Sequence, residues 1–378
     1  MAYSGPIVDV DVHHTWKSFD DIVAYLPKRW REYWEGDGKT RAATSPPGGS
    51  AYTLLDGGGM GLFATPPGGG PVASDYDFMC EQLCDRYTSR YRGILTFNIG
   101  SQCGNANPYL NAALCSAIND WNIDHWLDVD ERLFGSILLP SNNIEACIEE
   151  IHRIGHHTKM VGILFPMNPS GRPLGDPMFH PVYKAALEYD LTVDIHVNSS
   201  DIVTGRAGVG APGTYIENSV RLTDPAMHYV TSFIVNGVFE KFPDLKLLVK
   251  EYGTSWLPHL IWKLDKSYEA LKVESPWVKK RPYEYIYNNM KFGTQPLEVM
   301  IDQEPRWIDL LAAVDGIEDI LVFASDYPHF QFDDPFAAAR TLPKSWVDKV
   351  MWKNSADFFG WDEADFKTVD KELVGAPA

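Results

Sequence analysis

Cysteine is scarce in this sequence, and long apolar runs are missing. The five cysteines are an odd number at uneven spacings, and Cys80 and Cys84 stand four apart rather than in a C-x-x-C. That pattern excludes a disulfide scaffold, and all five read as reduced thiols, mostly core fillers, of a cytoplasmic protein. No window approaches roughly eighteen uninterrupted apolar residues, so no membrane span is expected. The N-terminus MAYSGPIVDVDVHH has neither a basic n-region nor an apolar stretch, so no signal peptide is expected. Basic residues are also few, 33 against 51 acidic ones, for a formal charge of −18. Such a surface repels nucleic acid and anionic membranes. The charge reads as solubility, and a small-molecule substrate is the expected partner.

What the sequence does have is a recurrence of short β-branched runs. They are Ile7–Val12, Arg92–Ile99, Leu133–Leu139, Met160–Phe165, Leu191–Val197, Leu245–Glu251, Asn289–Thr294 and Ile320–Ser325. Near-continuous apolar runs of this length belong to strands covered on both faces. The stretches between them read as helices, with Asn111–Val129 at helical spacing and Pro181–Tyr189 after the turn signal PLGDP. Strands alternating with helices in one chain predict a (β/α)8 TIM barrel rather than an open sheet, and one domain over residues 1–378. A dinucleotide fold would carry G-x-G-x-x-G after its first strand, where DVDVHH stands instead. Two Gly- and Pro-rich stretches, 36–75 and 198–225, interrupt the rhythm after strands one and five. Both fall at the C-terminal mouth of such a barrel, where long loops serve as lids or substrate walls; 198–225 reads as a lid, and 36–75 equally as a lid or as an exposed insertion or oligomer contact.

The metal-capable side chains fall at that same mouth. Asp9, Asp11 and His13 alternate along the first strand, so a period of two sends all three to one side, and His14 ends the strand. His196 is near the end of strand five, Glu251 ends strand six, Asp326 follows strand eight, and His329 comes three residues later. A lone histidine on an apolar strand is usually a satisfied core residue. Carboxylates and imidazoles converging from four strands are different, because buried carboxylates need compensation and a cation is the simplest source of it. Asp11, His13, His14, His196, Glu251, Asp326 and His329 are therefore the candidate ligands. Without a thiolate, the set suits Zn, Mn or Fe, one or two ions per chain. His125, His152, His156, His157 and His180 read as solvated, His228 as a structural or rim residue, and Trp256, on one amphipathic helix with His259, as core or subunit packing. Gln295 and the loop residue Arg206 are weaker candidates for the pocket.

DVDVHH, the run GVFEKFPDLKLLVKEYGTSWLPHLIWKLD and the segment FASDYPHFQFDDP together resemble the amidohydrolase superfamily from residue 7 to about residue 360. The resemblance is to the branch containing aminocarboxymuconate-semialdehyde decarboxylase and the resorcylate decarboxylases, and it extends to the isobutylamine N-hydroxylase type. It implies a metal-dependent hydrolase or carboxy-lyase whose metal is held by Asp11, His13, His196 and Asp326, with Asp326 also handling a proton. Those decarboxylases end strand six with a histidine; Glu251 stands there instead, as a fifth ligand or a base. Strand four, MVGILF, offers no lysine for the carbamate bridge of binuclear hydrolases, and Lys159 lies just before it. Catalytic roles thus fall to Asp326, Glu251 and His329. The alternatives are a dinuclear Fe or Mn/Fe oxygenase, with His14 and His329 as extra ligands, and an inactive barrel that assembles with an active paralogue. Either homo- or hetero-oligomers with a related barrel are expected.

Overall fold

The computed structural model describes residues 3–38, 59–97, 107–166, 168, 170–197, 214–298 and 306–366. Eight parallel strands run β1 (Ile7–His13), β2 (Tyr91–Thr96), β3 (Leu133–Leu138), β4 (Met160–Leu164), β5 (Thr192–His196), β6 (Leu247–Lys250), β7 (Met290–Gly293) and β8 (Leu321–Val322). They neighbour one another in chain order. Closure between the last and the first is made by backbone bonds, from Val10 N–H to Phe323 O at 3.0 Å and from Asp326 N–H to Asp11 O at 3.0 Å. The result is the (β/α)8 barrel that the strand count implied. Most of the two long stretches, residues 39–58 and 198–213, lies outside the described residues, as does Arg206.

Helices cover the strands, and local chemistry starts them where the alternation demands. Ser18 closes a capping box with Asp21 at the head of α1 (Phe19–Val23). Asn107 caps α2 (Pro108–Asn122), whose proline sits at the first turn, where a missing N–H costs nothing. Asn143 caps α3 (Ile144–Ile154), which ends at Gly155. The helix expected over Asn111–Val129 is thus shorter at its C-terminal end, because a π-turn over Ile123–Leu127 takes over from it. The helix expected over Pro181–Tyr189 spans His180–Leu187. No helix among the described residues is long and apolar enough to cross a membrane.

Two apolar clusters separate inside from outside. Most core residues lie between the strands and the helical layer, whereas Val8, Val10, Ile94, Leu248 and Val322 pack together with Trp352, Phe358 and Phe366 of the C-terminal segment. That segment covers the barrel's lower end. The Arg92 guanidinium lies 4.4 Å from the Trp361 ring and 4.9 Å from that of Phe366, which fastens it there by cation–π contact.

The first strand corrects one expectation. Ile7 and Val12 belong to the outer cluster while Val8 and Val10 belong to the inner one, so the alternation changes phase between Val10 and Val12. A register irregularity between Asp9 and Val12 is the cause. Asp9 therefore does not share a face with Asp11 and His13. Its carboxylate accepts from the Tyr91 hydroxyl at 3.0 Å and from Ser325 N–H at 2.9 Å.

Burial pushes the Asp9 carboxyl up to about 7, against hydrogen bonds from Ser325, Tyr91 and Asp11. A group raised in the folded state favours folding below its unfolded value, and that favour is lost as pH rises through the folded value. Asp9→Asn, which can keep both sets of hydrogen bonds, should gain stability relative to wild type between about pH 4 and 7, with a slope approaching ~1.4 kcal/mol per pH unit. Urea midpoints across that range test this; a constant difference between the two proteins would refute it.

Candidate metal centre

The donors stand at the C-terminal ends of β1, β5, β6 and β8. The bulge in β1 turns Asp11 and His13 into the mouth, and His196 is the last residue of β5. Glu251 and Asp326 each follow a strand with positive φ, 63° and 56°. This left-handed conformation costs an ordinary residue on the order of 1–2 kcal/mol, and here it swings a carboxylate inward where the strand would have carried it on. The turn after β8 is tied to β1, since His13 N–H donates to Tyr327 O at 2.6 Å.

The resulting distances are those of a single cluster. His13 Nε2 lies 2.9 Å from Asp326 Oδ1 and 3.8 Å from Asp11 Oδ1. His196 Nε2 lies 2.9 Å from Glu251 Oε2 and 3.3 Å from Asp11 Oδ2. Asp11, His13, His196 and Glu251 offer ligand atoms all within 4.8 Å of one another, and so do His13, Glu251, Asp326 and His329. Asp11, His13, His196, Asp326 and His329 are buried and Glu251 is half-buried.

Two further observations test whether these residues fit a cation. His13 Nδ1 lies 2.9 Å from Thr96 O, and His196 Nδ1 lies 2.7 Å from Val197 O. A carbonyl only accepts, so both Nδ1 atoms carry hydrogen and both Nε2 atoms turn toward the carboxylates, the orientation of metal-ligating histidines. Neither oxygen of the fully buried Asp11 accepts a hydrogen bond among the described residues. The donor set fits a divalent ion, with Asp11, His13, His196 and Glu251 surrounding one position and Asp326 and His329 bordering it.

Electrostatics point the same way. Burial alone would raise the Asp11 carboxyl, but His196, Lys250 and His13 outweigh it and hold the group well below the carboxylate range. Burial opposes protonation of His196, yet Asp11 and Glu251 raise it well above the ordinary imidazole value. His329, hydrogen-bonded through Nδ1 to Asp326, is likewise raised to about 9 against its burial. Protons on these imidazoles do in the metal-free protein what a bound cation would otherwise do.

His14 is set apart from the other candidates. Its Nε2 donates to Asn122 Oδ1 at 2.7 Å, and its ring packs against Phe97, Trp121 and Trp126. One residue beyond His13 on an extended chain, it faces outward, and burial lowers it to about 3. Gln295, a weak candidate from the sequence, donates to Asp326 Oδ2 at 2.7 Å. Lys159 bonds to the carbonyls of Asp130 and Glu131, before β4 and away from the mouth. His125, His152, His156, His228 and His259 are exposed and His157 is half-buried. His180, expected to be solvated, is instead buried and accepts from Lys241 at 3.0 Å. Trp256 is a core residue, as its spacing suggested.

Two interior residues outside the expected donor set, Asp194 and Lys250, also stand in the barrel. Asp194 stands two residues before His196, so strand periodicity alone could have marked it; nothing in LKLLVKE distinguishes Lys250 from an exposed lysine. The described end of the first long stretch also reaches the site. Met60 bridges to His329, and Gly61 N–H donates to Pro328 O at 2.6 Å. A side chain at Gly61 would meet that carbonyl at 2.8 Å.

Comparison with known proteins agrees with this architecture. The sequence profile of one family, described as amidohydrolase, matches residues 10–361. No curated protein matches. Among solved structures, an amidohydrolase from Mycobacterium avium subsp. paratuberculosis K-10 is similar with a TM-score of 0.68 at 19% identity, over 95% of this chain and 100% of that one. A 5-carboxyvanillate decarboxylase from Novosphingobium aromaticivorans with bound manganese gives 0.65 at 19% identity, over 94% and 97%. A 2,6-dihydroxybenzoate decarboxylase from Rhizobium gives 0.63 at 15% identity, over 94% and 99%.

Replacing His196 with Ala or Asp11 with Asn should weaken Mn2+ binding at least ~100-fold, since even an outer partner of a ligand is worth on the order of 10–100-fold. His14→Phe should leave it within about twofold, because its ring lies outside the cluster. Calorimetric titration of the three variants decides. Equal losses in all three would mean that the donors have been misassigned.

Proposed function

This chain belongs to the amidohydrolase family, and from that premise we propose that it is a metal-dependent hydrolase or carboxy-lyase acting on a small molecule. The reading is carried by the buried set of carboxylates and imidazoles whose Nδ1–H groups are already committed to carbonyls. Asp11, His13, His196 and Glu251 would hold the ion. Zn, Mn and Fe all suit such a nitrogen and oxygen set, and the manganese of the carboxyvanillate decarboxylase favours Mn. When bound, the ion supplies Lewis acidity, acidifying a water or polarising a substrate oxygen.

The proton chemistry belongs to Asp326. Gln295 holds one of its oxygens and His329 the other, so the carboxylate is fixed at the edge of the cluster, next to the position where a substrate would sit. It can take a proton from an attacking water and return it to a leaving group, with His329 sharing the charge. The hydrolase reading draws its support from the family to which the chain belongs. The decarboxylase reading draws its support from the structural neighbours.

One observation favours a second reading. The donors form two overlapping sets that share His13 and Glu251. Two adjacent ions in a carboxylate-rich site would suit a dinuclear oxygenase. Cys80, Cys84 and Cys147, free and buried, support a cytoplasmic setting for either enzyme.

Asp326→Asn should cut turnover of a hydrolysable substrate by about 10²–10⁴-fold, the usual worth of a general acid–base group, while the chain still binds Mn2+. Elemental analysis of both proteins accompanies the assay. Two ions per chain together with substrate-dependent oxygen consumption would replace the hydrolase with the oxygenase.

A further inference from the structure

Below the donors the barrel interior carries a polar layer where branched apolar side chains are the rule. Thr96 of β2, Ser136 of β3, Asp194 of β5 and Lys250 of β6 form it, all buried, with Lys250 fully so. The Lys250 ammonium donates to Thr96 Oγ1 at 2.7 Å, to Val10 O at 3.2 Å and to Asp194 Oδ2 at 3.3 Å. Those three bonds use its three protons. Asp194 is held in turn by the Ser136 hydroxyl at 2.5 Å and the Thr192 hydroxyl at 2.7 Å. The clamped ammonium ends 3.7 Å from Asp11 Oδ1.

We propose that Lys250 is a positioning residue, a resident cation that holds the Asp11 carboxylate in place before a metal arrives, so that the donors stand assembled in the metal-free protein. The inference rests on the metal-site reading given above. It has a thermodynamic signature that mere packing lacks. An ammonium and a divalent ion both draw on Asp11 and repel each other, so Lys250 stabilises the metal-free form more than the loaded one. Removing it harms the metal-free protein most.

The experiment measures thermal unfolding of the full-length wild type and Lys250→Met, each stripped of metal and each saturated with Mn2+, with the Mn2+ dissociation constant read by titration. The Mn2+-induced rise in Tm should be larger in the variant by at least about 1 °C. Its Mn2+ binding should be at least about threefold tighter, since a repelling charge is gone. A variant that folds only with Mn2+ is the extreme form of the same result. Equal or smaller rises in the variant would overturn the proposal, as would a variant unfolded even in saturating Mn2+. If the wild type shows no Mn2+-induced rise at all, the metal-site reading itself fails and this inference falls with it.

Discussion

Negative charge withdrawn from water has to be met by positive charge, and in this barrel that requirement organises the whole upper mouth. Asp11 is fully buried, Asp326 nearly so, and Glu251 leans on the same imidazoles. Each of the surrounding groups answers at least one of them. His196 reaches Asp11 and Glu251, His13 and His329 reach Asp326, and Lys250 approaches Asp11 from beneath. An isolated carboxylate in such a place would cost several kcal/mol even after relaxation. The neighbouring cations make that arrangement tolerable, and they face a position at the mouth that accepts one more.

Backbone geometry is bent to the same end. Two non-glycine residues in the left-handed region, Glu251 and Asp326, are themselves donors, one directly after β6 and the other four residues beyond β8. Strain of this kind persists when the surroundings over-determine it. The bonds from Asp326 N–H to Asp11 O and from His13 N–H to Tyr327 O do so for β8, and they also complete the barrel. Closure of the fold and placement of the donors are thus one set of contacts.

The fold was legible because it depends on a repeating signal. Eight apolar runs separated by helix-length stretches leave few architectures open, and the C-terminal ends of those runs fix where donors gather. Strand ends are less legible: the run Leu245–Glu251 is a strand only over Leu247–Lys250, because pairing partners rather than apolar character decide where a ladder stops. Within the site, residues at strand termini were readable and residues whose role depends on a neighbour were not. Asp9 went astray because a bulge leaves no mark in the alternation of IVDVDV. His14 went astray because an extra histidine beside a ligand looks like another ligand until its ring is seen against Trp121 and Asn122. Lys250 has no signature of its own, since its burial depends on Asp194 and Thr96 from two other strands.

The added residue in β1 also bears on how this barrel can be altered. In a regular strand, donors two apart keep their face however the flanking sequence is cut or lengthened by pairs. Here the lower half of the strand and its donor-bearing tip obey opposite parities. Grafting this tip onto an undistorted first strand would turn Asp11 and His13 toward the helices, and deleting one residue near Val10 would do the same in place. Homologous first strands are interchangeable in this scaffold only if the irregularity travels with them.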